Sequence, residues 1–191
     1  MAGHPGLSPE LDAFRRAFEQ LADEADAMAG GLTDRQFNWR PSDEAWSVAQ
    51  CIEHLNATAR SYLPMLDEGI AAAIRGGLYG EGPFQYNWIG RRFPALLEPP
   101  VRRKFKSPRL FLPAPSRPRQ ETIAAFRAYQ VQFIDRLRQA NGLDLSRARV
   151  RSPAWRWLRI PLGSGFAMML AHERRHLWQA RNVLADRAFP A

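Results

Sequence analysis

Apolar residues in this chain recur mostly at spacings of three and four, and four long stretches carry that spacing. The first runs from about residue 8 to residue 29, with Leu11, Phe14, Phe18, Leu21, Ala25 and Met28 on one stripe. Ser8 is placed to cap it, Pro9 suits its first turn, and Gly30-Gly31 stops it. The second follows Trp46: Ser47 and Gln50 have capping-box spacing, and Val48, Ile52, Leu55, Ala59, Leu63, Leu66 and Ile70 form the stripe. Pro64 predicts a kink over 60–63, and Gly76-Gly77 ends the segment. The third begins near Pro118 and repeats Ile123, Phe126, Val131 (or Gln130), Ile134 and Leu137 before Asn141-Gly142. The fourth spans about 164–185. A short helical turn is expected where Thr33 and Gln36 share capping-box spacing, closed by Pro41. No stretch alternates as a strand should, and no repeat is present. The pattern predicts an all-α four-helix bundle, with residues 1–191 as a single domain.

The stretch from 76 to 117 resists this reading. It is dense in glycine and proline and carries Arg91, Arg92, Arg102, Arg103, Lys104, Lys106 and Arg109. A loop this long in a compact domain is usually functional. Its aromatics predict an ordered loop with short helical pieces, covering one end of the bundle between the second and third helices. The net charge of +8 admits an anionic partner, but charge runs are generally solvated faces, so nucleic acid is not the expected partner. No apolar run is long enough to span a membrane, and no membrane partner is expected. One cysteine, Cys51, excludes an internal disulfide, and the N-terminus has no secretory pattern, so a cytoplasmic location is expected.

The candidate chemistry lies in the histidines. His4 falls in a Pro/Gly-rich tail and is expected to be solvated. His172 and His176 sit four apart in "LAHERRHLWQARNV", hence on one helix face with Met169, Gln179 or Ala180, and Val183. His54 borders the apolar stripe of the second helix. Three neutral imidazoles on inward helix faces suit zinc, nickel, iron or copper, and bundle cores build such sites. Cys51, three residues before His54, is placed either as a fourth ligand or, more commonly for a lone buried cysteine, as a small hydrophobe. Trp39 and Trp46 are placed either to line the site or to pack the core.

The literal His172-Glu173-x-x-His176 string also matches a zinc-protease helix. That reading fails on its third ligand: Gln179 and Asn182 stand where the extended motif needs Gly and His, and only Asp186 follows before the sequence ends. Glu173 is a weak candidate for a general base, since it projects about 100° from His172 around the helix. A salt bridge to a neighbouring arginine is its expected role.

"FNWRPSDEAWSVAQCIEHL", the order of four helices with a long middle loop, and "AHERRHLWQARNV" together resemble the DinB-like (DinB/YfiT) superfamily over nearly the whole chain. The resemblance implies an up-up-down-down bundle and a divalent metal, zinc or nickel, on His54, His172 and His176. It implies a small-molecule substrate, a homodimer, and a thiol S-transferase or related hydrolase using a low-molecular-weight thiol of the bacillithiol or mycothiol type. The ergothioneine-forming branch of the family carries an acid two places after the last histidine; here Trp178 stands there. The alternative is a non-catalytic scaffold of the same fold, with or without metal.

Overall fold

The computed structural model describes residues 6–100, 108–113, 116–155 and 157–191. His4 and the basic residues Arg102, Arg103, Lys104 and Lys106 of the middle segment lie outside the described residues. Among the described residues there are six helices: α1 Pro9–Ala29, α2 Asp34–Phe37, α3 Val48–Arg75, α4 Trp88–Leu97, α5 Arg119–Gln139 and α6 Leu162–Leu184. A 3-10 turn covers Arg109–Phe111, and two short strands, β1 Arg149–Arg151 and β2 Arg159–Pro161, pair antiparallel.

The four long helices, α1, α3, α5 and α6, are those the apolar stripes predict. Leu11, Phe18, Leu21 and Ala25 of α1 and every stripe residue of α3 are buried. Both predicted capping boxes form, at Thr33 with Gln36 and at Ser47 with Gln50. Ser8 does not cap α1 with its side chain; its backbone N–H instead donates to Asn141 Oδ1 at 3.0 Å, so the end of α5 clamps the start of α1. Gly142 follows with φ of +85°, a value that a side chain rarely tolerates. α3 stays helical through Pro64, because Pro64 and Arg60 lie on the exposed face, where solvent satisfies the carbonyl that proline leaves unpaired.

Named pairs fix the helix directions. Phe18 stacks on Phe133 and Asp26 pairs with Arg127, so α1 and α5 are antiparallel. Asn56 reaches Thr122 and Asp67 pairs with Arg136, so α3 and α5 are parallel. Tyr62 meets Met168 while His54 meets His172, so α3 and α6 are antiparallel. Phe14 with Phe166 and Glu24 with Arg181 make α1 and α6 parallel. In chain order the directions are up, down, down, up. The all-α bundle stands, and the up-up-down-down order is corrected. The connector after α1 stays at the end where α1 stops, because Asp34 accepts from Arg119 N–H and Asn38 from Arg117 N–H. Since α5 runs parallel to α3, the chain between the end of α3 and the start of α5 has to cross from one end of the bundle to the other.

The middle segment holds one of its expected short helical pieces, and a small hairpin was not predicted. α4 lies within the middle segment, capped by Asn87 and packed on α6; Gly90 and Pro94 hide it from a periodicity reading. The β1–β2 hairpin is too short for alternation to show, yet it buries Val150 opposite Ile160. It presses on α3 at Gly69, where a Cβ would stand 2.6 Å from the Arg149 carbonyl oxygen. Since the clash is with backbone, Gly69→Ala is expected to cost about 1–3 kcal/mol. That is a fall of several degrees in Tm for a chain of this size, measurable by thermal denaturation.

Candidate metal centre

His54 lies in the second turn of α3, placed there by the Ser47 capping box; His172 and His176 lie one turn apart on α6. The antiparallel packing of α3 on α6 brings all three rings together, with centroids 5.0 Å (His54–His172), 4.4 Å (His54–His176) and 4.6 Å (His172–His176) apart. One ring nitrogen from each lies within 4.8 Å of the others, and among the described residues this is the group of that kind.

The hydrogen bonds around the rings set their tautomers. His54 Nδ1–H donates to the Phe111 carbonyl at 2.6 Å, and His176 Nδ1–H donates to Gln179 Oε1 at 3.1 Å. Both Nε2 atoms therefore carry lone pairs, the arrangement in which an outer hydrogen bond orients a ligand imidazole. His54 Nε2 stands 3.1 Å from His172 Nε2, a hydrogen-bond distance at which His172 Nε2–H donates to the His54 lone pair. His172 Nδ1 is buried without a partner among the described residues. Zinc–nitrogen bonds of about 2.0–2.1 Å at tetrahedral angles separate ligand nitrogens by roughly 3.3 Å. The donor set, the lone pairs on His54 and His176 Nε2 and this spacing fit a divalent ion held among the three rings.

Electrostatics favour the same state. Burial, then the neighbouring histidines and Arg175, hold His172 and His176 well below the ordinary histidine pKa. His54 is lowered by burial, against the opposing bond to Phe111. All three are thus neutral and free to coordinate near neutral pH. Arg175, 9% exposed, lowers each histidine by its charge and makes the surroundings attractive to an anion.

The other candidates separate clearly. Trp46 lies over the site, 5.0 Å from the His54 ring and stacked at 5.6 Å on His176. Trp39 instead meets Phe189 edge-on at 5.4 Å. Cys51 is wholly buried in the apolar core, which pushes its thiol up to about 12, and it is not in the ligand group. The expected Glu173 salt bridge is not found among the described residues. Glu173 is 1% exposed and points into the bundle, where its Oε1 accepts from Gln130 Nε2 at 3.2 Å, while its neighbour Arg174 pairs with Glu98. Burial raises the Glu173 pKa to about 8, against the smaller pull of Gln130 and Arg174. A cavity of about 400 Å³ between α1, α4 and α6 has Phe14, Pro94, Leu170 and the Glu98–Arg174 pair in its lining, and none of the three histidines.

The Phe111 carbonyl and the Gln130–Glu173 pair were not identified from sequence. A backbone acceptor leaves no residue signature. Gln130 was visible only as the polar alternative to Val131, and Val131 is 57% exposed while Gln130 is buried.

In comparison with known proteins, residues 17–180 match the DinB superfamily. No curated protein and no solved structure matches the chain.

Proposed function

This chain belongs to the DinB superfamily, and we propose that it is a divalent-metal enzyme that activates a low-molecular-weight thiol, as an S-transferase or a related hydrolase. Family membership and the histidine group are compatible with metal binding; the thiol chemistry is the further step. The observation that carries it is the convergence of three neutral imidazoles, two with Nδ1 committed to outer acceptors and Nε2 left to coordinate. His54, His172 and His176 would hold zinc or nickel. When bound, such an ion supplies Lewis acidity, which deprotonates a coordinating thiol. The protein's own groups do the rest. Trp46 and Phe111 shield the histidines from water: Trp46 stacks on His176, and the Phe111 ring lies 6.4 Å from His54. The positive charge of Arg175 favours an anionic thiolate or an acidic thiol cofactor over a neutral one.

Elemental analysis of protein purified without chelator is expected to find about one zinc or nickel ion per chain, as for a three-histidine site. A screen of small thiols against electrophiles is expected to show conjugation that a chelator abolishes and the metal restores. Absence of metal removes the proposal. Bound metal with no thiol chemistry supports the non-catalytic scaffold instead.

A further inference from the structure

Two tryptophans stand out of the hairpin that joins α5 to α6. Trp155 is 49% exposed and Trp157 is 80% exposed, in the turn between β1 and β2. The strands below them present Arg149, Arg151 and Arg159 to solvent, and Arg151 lies directly opposite Arg159 across the ladder. Like charges facing across a strand pair destabilise it. None of these three arginines makes an ion pair among the described residues. From Asp144 to Glu173 the sequence contains no intervening carboxylate. Trp88, 65% exposed in the first turn of α4, comes from the same end, where Gly90 lies against Ser164 at the start of α6.

The patch is far from the histidines. The hairpin packs on α3 at Gly69, fifteen residues beyond His54, or about 22 Å along the helix axis. It is unused by the proposed metal chemistry and does not rest on it.

The geometry points to a docking surface for an anionic lipid bilayer: the hairpin's indoles enter the headgroup region while its arginines meet lipid phosphates. Three features favour this occupant. The charged side chains described on the hairpin strands, Arg149, Arg151 and Arg159, are all positive, which complements an anionic surface. Indole side chains favour the membrane–water interface, where one edge is apolar and the other wet. Trp155 and Trp157 also lie in the connection of a two-stranded hairpin, a local site, whereas single-stranded nucleic acid is bound along an extended basic groove. No helix among the described residues is long and apolar enough to cross a membrane, so the attachment is peripheral. The sequence expectation of no membrane partner rested on that missing span, and it could not show which tryptophans reach the surface.

The test is co-sedimentation of the full chain with phosphatidylcholine vesicles, with and without phosphatidylglycerol, read alongside indole emission. Binding is expected to need phosphatidylglycerol, to shift the emission to the blue, and to weaken as salt rises. Trp155→Ser with Trp157→Ser is expected to weaken it on the order of tenfold or more, since buried indole area is lost. Arg151→Gln and Arg159→Gln are expected to weaken it about fivefold each. All four side chains are exposed, and unchanged circular dichroism shows that the variants fold. The proposal is overturned if the wild type ignores anionic vesicles at low salt, or if the tryptophan variants bind them as well as wild type. It is also overturned if a single-stranded oligonucleotide binds more tightly than the vesicles through the same tryptophans.

Discussion

His172→Ala is expected to leave the purified protein essentially free of metal. Structural zinc sites bind with about 10–16 kcal/mol shared among four ligands, so the loss of one ligand weakens affinity by roughly two to three orders of magnitude. His172 is the sharpest choice because its Nε2 faces His54 Nε2 at 3.1 Å, and its Nδ1 has no partner among the described residues to lose. The same substitution at His54 would also strand the Phe111 carbonyl, mixing a ligand effect with a loop effect. A ligand at a hundred times its Kd adds about 2.7 kcal/mol of stability, so wild type should gain Tm on adding metal and His172→Ala should not. Cys51→Ala is the control, since Cys51 lies in the apolar core outside the ligand group; it is expected to keep its metal. Metal retained by His172→Ala, or lost from folded Cys51→Ala, would show that the ligand set is wrong.

The second large effect is expected from Glu173. Its carboxyl is buried, has one hydrogen-bond donor in Gln130, and has its other oxygen without a partner among the described residues. Burial lifts its pKa from the ordinary 4.5 to about 8. Between those values the folded protein binds a proton that the unfolded chain has released, so stability falls as pH rises. The stabilisation by the neutral acid is complete below about pH 4.5 and is lost as pH passes about 8. The displacement corresponds to a few kcal/mol, with about 5 as the upper bound. The histidines act in the opposite direction. Their lowered pKa values give stability that is present above the ordinary histidine value and lost in acid. Glu173→Gln removes only the first effect and keeps the shape. In chelated protein the stability difference between Glu173→Gln and wild type is therefore expected to grow from pH 5 to pH 8 in urea titrations. Parallel pH profiles for the two proteins would sink the idea.

What the sequence conveyed and what it withheld divide along physical lines. Long helices announce themselves by period, and His172 and His176 share a face by spacing alone, so the bundle and two of the three clustered histidines were legible. His54 joined them as a histidine on an inward stripe and through family resemblance. Period says nothing of direction, so the order of the helices waited for pairs such as Asp67 with Arg136. The choice between Gln130 and Val131 was open because both fit the spacing. It was settled by a polar partner, Glu173, reaching across the bundle from another helix. Glu173 itself was misread because charge suggests solvent, while its position on α6 turns it inward. Ser8 shows that a good cap residue need not cap when its backbone is held elsewhere, here by Asn141. α4 and the hairpin carry glycine and proline within or beside short elements, where local propensity is weakest and tertiary packing decides.

The wide separation of His54 from His172, 118 positions along the chain, also bears on how the protein assembles. A contact between such distant residues forms only after α3 and α6 have docked, and such non-local contacts form slowly. An ion that binds only after that docking adds nothing to the folding transition state. Interactions of that kind leave the folding rate unchanged and slow unfolding. A bound ion would therefore act on this bundle as a latch, extending the lifetime of the folded chain without hastening its arrival.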